Sequence, residues 1–222
     1  MYMYPPFYRS ASLPQLNQSS TVEVVGEGTV SAAPDRAEIV LGAVTEGPDL
    51  TKIQTENSRI ISNVIHSLIQ LSIPREKIQT TDYRIDIQYD YKDGKQIFRG
   101  YKVTHLLQIL NDQIAQTRTI VDTSVANGAN EVTSIQFSMI QPETYELQAL
   151  SQAIHNARQK ALTITHTLGT TLASTPYQVK ELYRTSEPVP YMASKLVANA
   201  ATPIQPGQIV FQAKVQTWFH FA

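Results

Sequence analysis

The chain contains no cysteine among its 222 residues. That absence excludes disulfides, thiolate nucleophiles, zinc-finger sites and cysteine-held iron–sulfur clusters together. A charge excess of either sign is missing too: 18 Lys and Arg stand against 19 Asp and Glu, for a net charge of −1. No run of Lys or Arg marks a nucleic-acid face, so no nucleic-acid partner is expected. No apolar run approaches the roughly 20 residues that cross a bilayer, so no membrane span is expected. The opening residues lack a basic leader followed by an apolar stretch. They are read as no signal peptide, which places the chain in the cytoplasm. Gly26-Glu27-Gly28 lacks the third glycine of a dinucleotide fingerprint and runs into a strand, not a helix. Neither a Gly-x-Ser-x-Gly elbow nor a His-Glu-x-x-His helix occurs. The expectation is a non-enzyme with no catalytic residue, no cofactor and no metal.

What is present is a hydrophobic fraction of 42%, ample for a core in a chain of this length. Residues 1–20 are rich in tyrosine and proline and read as a disordered tail. Residues 21–222 read as one domain. Residues 22–25 open it as a strand, and Gly26 and Gly28 predict a bend or bulge. Pro34-Asp35 leads into a second strand, with Ala37, Ile39, Leu41 and Ala43 at period two. Asp49 is the predicted N-cap of a helix reaching about residue 71. Its apolar stripe is Ile53, Ile60, Ile61, Val64, Leu68 and Leu71.

Tyr83, Ile85, Ile87, Tyr89 and Tyr91 alternate with polar residues, which predicts a half-buried strand with one wet face. Asp93-Gly94 predicts a type I′ hairpin turn. The returning strand, about 96–110, is more apolar and reads as central, with the first strand nearer an edge. A helix over about 112–127 ends at Gly128, in the left-handed position that suits glycine. A strand over 131–140 follows. Pro142 fits the first position of a long helix, whose predicted core stripe is Leu147, Leu150, Ile154, Ala157, Ala161, Ile164 and Leu168 before Gly169 stops it. A strand over 177–183 and a long mobile loop over 185–207 precede the closing strand, with its core face at Ile209, Phe211, Ala213, Val215, Phe219 and Phe221.

From residue 35 to 140 the order is strand, helix, strand, strand, helix, strand, the split βαβ order of a ferredoxin-like fold. The expected class is therefore α+β: an antiparallel sheet with helices packed on one face, a ferredoxin-like βαββαβ core, plus an additional helix and flanking strands.

The titratable residues offer little chemistry. His155 and His166 lie about 20° apart in helical projection, without a third ligand, and read as solvated. His105 shares a strand face with Tyr101, Val103, Leu107 and Ile109, and reads as a core or interface histidine. Asp86, Asp90 and Asp93 crowd one hairpin, but the alternating ligands and closing Glu of a calcium loop are missing. They read as a solvated edge strand, where charge discourages aggregation. Tyr89, Tyr91, Trp218 and His220 are the candidate interface residues.

Taken in order, several segments resemble the SIMPL-domain family. They are Gly26-x-Gly-Thr-Val-x-Ala-x-Pro-Asp35, Tyr89-Asp-Tyr-x-Asp-Gly-Lys95, Gly100-Tyr-x-Val103, Gly128-Ala-Asn-x-Val132, Gln141-Pro142, the helix ending at Leu168-Gly169, and the strand after Pro206-Gly207. The resemblance spans about residues 21–222. It implies an α+β fold and kinship with bacterial proteins of oxidative-stress defence and with immunogenic periplasmic proteins. It also implies a ring- or channel-like homo-oligomer. It brings no catalytic residue; its shared positions, Gly26, Gly28, Pro34, Asp35, Asp93, Gly94, Gly128 and Gly169, serve turns and packing. The function expected is a self-assembling, non-enzymatic scaffold with a stress-related or protective role. The alternative is a module that binds a peptide or small ligand through the 185–207 loop.

Overall fold

The computed structural model describes residues 20–189 and 204–222. Residues 1–19 of the expected tail and 190–203 of the expected loop lie outside them. The described elements are β1 (Ser20–Ala32), β2 (Arg36–Gly47), α1 (Leu50–Gln70), β3 (Ile78–Lys92), β4 (Lys95–Asn111), α2 (Thr117–Ala126), β5 (Glu131–Ser138), α3 (Pro142–Thr167), β6 (Gln178–Val189) and β7 (Gln208–Phe221). They form an α+β fold with two antiparallel sheets. The described residues divide into two compact units, 29–149 with 184–189 and 204–212, and 20–28 with 150–183 and 213–222.

In the first unit the sheet order is β3-β4-β2-β5, every pair antiparallel. With α1 after β2 and α2 after β4, this is the ferredoxin-like arrangement. Asp49 caps α1 as its side chain accepts from the Lys52 backbone N at 3.2 Å. Ile61, Val64 and Leu68 of α1 and Ile120 and Val121 of α2 bury against Ala37, Ile39, Leu41 and Ala43 of β2 and Leu107 and Ile109 of β4. Each large aliphatic side chain so buried contributes about 1.5–3 kcal/mol. Asn57, 1% exposed, and Ser67 are the buried polar residues of α1; the Asn57 side chain bonds outside the helix. Its Nδ2 donates to the Ala43 carbonyl at 3.0 Å and the Val103 carbonyl at 3.3 Å, tying the helix to two strands.

Asp35 ties β2 to the end of β5. Its backbone N donates to the Ser138 carbonyl at 3.2 Å, and its carboxylate accepts from the Ile140 backbone N at 2.6 Å. Pro34 beside it is buried. The helix expected from residue 112 begins later, at Thr117, after a 3-10 turn over Ile114–Gln116. Asp112 is engaged by Arg36 and Lys77. Asn111 brackets Gln113, accepting from its N at 3.1 Å and donating to its O at 2.7 Å. These bonds hold 111–113 in a tight local turn. Asp93 and Gly94, with φ of 52° and 74°, form the predicted left-handed turn. Gly128 and Gly169 also take positive φ, 105° and 71°, after their helices.

The flanking strands build a second sheet in the order β1-β7-β6, of which residues 20–28, 178–183 and 213–221 belong to the second unit. The bend predicted at Gly26 and Gly28 does not occur, since β1 runs unbroken for 13 residues through both. Gly26 serves a close approach instead. A Cβ there would lie 2.0 Å from the Ala153 carbonyl O and 2.7 Å from Ala157 Cβ, so α3 passes directly against the strand.

That approach also corrects part of the predicted face of α3. Ala157 and Ala161 of the predicted stripe are buried, together with Ala153 and Thr165 at spacings of four, whereas Ile154, Ile164 and Leu168 are exposed. Leu147, in the first unit, is exposed as well. Only small side chains fit a helix this close to a strand, so the bulky residues turn outward. Ala213, Val215 and Phe219 of β7 are buried as predicted, while Phe221 is half-buried. β6 extends to Val189, beyond the 177–183 expected.

Candidate interaction surface

The hairpin β3–β4 is too long for the helix beside it. α1 has 21 residues, about 32 Å at 1.5 Å per residue. β3 and β4 have 15 and 17, about 50–58 Å at the strand rise. Pairing between β2 and β4 ends at Gly47 opposite Tyr101. Residues 88–100 therefore continue past β2 as a ribbon of the two strands.

Residues directly opposite on antiparallel strands share a face. Tyr83 opposes His105, Ile85 opposes Val103, Ile87 opposes Tyr101, and after a bulge at Gln88/Tyr89, Tyr89 opposes Phe98. Val103 is buried on this helix-side face, but its continuation is not: Ile87 is 52% exposed, Tyr91 76% and Phe98 48%. Tyr83, Ile85 and Tyr89 are also exposed. This corrects the half-buried strand expected from the alternation: β3 is open on both faces. The exposed surface of these six side chains is roughly 700 Å², at or above the largest patch typical of a monomer.

The rings are ordered by their own packing. Phe98 meets Tyr89 edge-on with centroids 6.4 Å apart and Tyr101 at 5.2 Å. The Tyr83 hydroxyl accepts from Gln54 Nε2 of α1 at 2.9 Å, at the inner end of the patch. His105 lies beside it, half-buried, with its ring 5.1 Å from Tyr83 and Nε2 3.0 Å from the Thr80 hydroxyl. Burial pulls its pKa below the usual histidine value.

The opposite face of the hairpin is ionic. Arg84 bridges Asp82 at 3.6 Å and Asp86 at 3.5 Å, and Arg99 reaches Glu46 at 3.4 Å and Asp90 at 4.0 Å. Such exposed pairs add little stability, but they keep this face wet. Asp82, Asp86 and Asp90 are thus matched to arginines, and among the described residues no cluster of three His, Asp or Glu is arranged to hold a metal ion.

Of the candidate interface residues, Tyr89 and Tyr91 stand on this ribbon. Trp218 and His220 stand on β7 in the other unit, where Tyr177 meets the His220 ring and the Trp218 backbone. Tyr177 stacks on His220 with centroids 4.4 Å apart, and its N donates to the Trp218 carbonyl at 3.0 Å. His66, His155 and His166 are exposed. Sequence reasoning missed Ile85, Ile87 and Phe98 as surface residues. The signal available was length, because alternation continues on both sides of Asp93-Gly94 for more residues than one helix can cover.

Comparison with known proteins gives a consistent picture. The SIMPL family model, described as a protein of unknown function (DUF541), matches residues 22–219. The chain is similar to the uncharacterized protein YggE of Escherichia coli (strain K12), 25% identical over 207 residues, 93% of this chain and 83% of that protein. It is similar to YggE of Edwardsiella ictaluri, 23% identical over 219 residues, 96% of this chain and 92% of that one. It is also similar to the 26 kDa periplasmic immunogenic protein of Brucella melitensis biotype 1, 26% identical over 213 residues, 91% and 85% of the two chains. These matches overturn the cytoplasmic location expected from the opening residues. The Brucella relatives are described as periplasmic, which points to export, and the first residues of the sequence do not decide the matter.

Proposed function

This chain belongs to the SIMPL family, and from that premise we propose that it is an exported, non-enzymatic protein that assembles with copies of itself through the β3–β4 ribbon. The observation that carries the reading is the ordered apolar face of Ile87, Tyr89, Tyr91 and Phe98, exposed beyond the reach of α1. A ribbon of two strands is marginally stable alone in water. A partner laid on that face removes its apolar surface from water. With Tyr83 and Ile85 included, the exposed surface of roughly 700 Å² approaches the ~800 Å² per partner of a standard interface. β3 also ends its sheet as an edge strand and can add backbone pairing to the contact.

The non-enzymatic part is supported by the engaged state of the candidate groups, with His105 on Thr80 and Tyr83, and Asp86 and Asp90 on arginines. Export is supported by the periplasmic description of the Brucella relatives. A stress-related or protective role rests on the family resemblance. It is tested by comparing peroxide survival of a strain lacking the protein with that of its parent; equal survival removes that role.

The absence of cysteine allows a clean test of assembly through the ribbon. Gln96→Cys, directly opposite Tyr91 on the apolar face, gives a single thiol for an environment-sensitive dye. Assembly predicts blue-shifted emission at micromolar protein that reverts on dilution. Emission independent of concentration would contradict it. The alternative of ligand capture through residues 185–207 falls largely on 190–203, outside the described residues.

A further inference from the structure

We propose that the groove between the edge strand β1 and α3 binds an extended peptide carrying an acidic side chain, added as a strand to β1. β1 ends its sheet, so among the described residues one side of its backbone faces no strand. On that side the groups are met by helix side chains: the Glu27 N–H donates to Asn156 Oδ1 at 3.1 Å, and Lys160 Nζ donates to the Val25 carbonyl at 2.8 Å. Residues 25 and 27 are two apart, so they point the same way from the strand and match the repeat of an antiparallel partner. Beside them lies a groove of about 600 Å³, walled by Val24 and Val25 and floored by Asn156, Gln159, Lys160, Thr163 and Ile164. That volume lies within the range of small-ligand and peptide sites.

The chemistry of the groove selects its occupant. Helix and strand are held together beneath it by the Gly26 contact with Ala153 and Ala157, so its depth is set by rigid elements. An incoming strand takes over the Glu27 donor and the Val25 acceptor, and the displaced Asn156 and Lys160 then face the peptide's side chains. Lys160 is exposed and supplies the cation. The nearby Glu27 carboxylate is bonded to Lys214 at 2.8 Å, and its coupling to Lys160 is the smallest of the effects on it. An Asp or Glu on the peptide therefore meets the Lys160 ammonium at the groove floor. The side-chain plugs also keep the empty edge from pairing indiscriminately.

The test is fluorescence anisotropy of labelled ten-residue peptides titrated with the full chain. The probe alternates Thr and Val around one central Glu. It is compared with a central-Lys version and with two versions N-methylated on either set of alternate amides. The Glu peptide is expected to bind with Kd of roughly 10–100 μM. One N-methylated form is expected to lose at least about tenfold in affinity, because only one set of amides faces β1. Lys160→Glu is expected to reverse the Glu-over-Lys preference, and Thr163→Trp, on the exposed floor, to abolish binding by filling the groove. No binding of the Glu peptide up to about 1 mM overturns the proposal. So does equal binding of both N-methylated forms, or full binding to Thr163→Trp. If Thr163→Trp lowers the mass of the assembly while the peptide does not bind, the groove belongs to a second copy and the peptide reading is overturned.

Discussion

Gly26→Ala probes the close approach on which the β1-β7-β6 unit is built. The added methyl would sit 2.0 Å from the Ala153 carbonyl O and 2.7 Å from both Ala157 N and Ala157 Cβ. The carbonyl and amide are helix backbone and cannot rotate aside, so strand and helix must separate by roughly 1 Å or more. Overpacking of this kind costs about 1–3 kcal/mol and more where the neighbour is rigid. The gain from a stiffer unfolded chain, about 0.4–1 kcal/mol, offsets a small part. The expected net loss is about 3 kcal/mol, or roughly 6–12 °C in Tm for a chain of this size. Trp218, the single tryptophan, lies on β7 of the same unit, so its fluorescence in a urea titration reports the loss directly. Gly94→Ala is the control, with φ of 74° and nothing within 4 Å of the added carbon, expected to cost about 1–2 kcal/mol from backbone strain alone. A Gly26→Ala protein within about 0.5 kcal/mol of the parent would refute the contact.

Three further outcomes follow from the β3-β4-β2-β5 unit. Asn57→Ala is expected to cost about 2–3 kcal/mol in urea unfolding, because it strips a buried donor from the Ala43 and Val103 carbonyls; Asn57→Asp is expected to cost more at pH 7, by burying a charge beside those oxygens. The hydrogen bonds from Arg36 and Lys77 hold the Asp112 carboxyl below its ordinary pKa. Its stabilisation is then complete above the ordinary value near 4 and is lost as pH falls through the lower folded value. Stabilities of the parent and Asp112→Asn should therefore differ most above about pH 5 and converge toward pH 2. Burial lowers the His105 pKa, so the unfolded chain takes up the proton first and stability falls as pH drops below about 6.5; His105→Gln should remove that slope, measured as urea midpoints between pH 7 and 5.

The parts of the fold legible in the sequence are those governed by local rules. Asp49, the stripe Ile61-Val64-Leu68, the Asp93-Gly94 turn and the order of elements from 35 to 140 each carry their own signal, and each falls in its predicted place. What failed depends on distances between elements. The bulky residues of α3 form a convincing stripe, but the helix buries alanines because Gly26 draws it against β1. Periodicity identifies a helix face by hydrophobic mass and carries no term for how near the neighbour stands. Tyr83 to Tyr91 alternate as any half-covered strand does, and nothing in that pattern states that α1 ends before the hairpin does. Phe98 joins Ile87, Tyr89 and Tyr91 only through the strand register. Location was read from opening residues that do not determine it, and the relatives corrected it.

Assembly through the ribbon is tested most directly by the solution mass of the full chain, from sedimentation equilibrium at micromolar concentration, beside that of Ile87→Glu/Tyr89→Glu. Both substitutions lie on exposed side chains, so the fold should survive them. The parent is expected at a whole-number multiple of 24.8 kDa and the double variant at 24.8 kDa. A parent that sediments at 24.8 kDa, or a variant that keeps the parent's mass, would contradict the account.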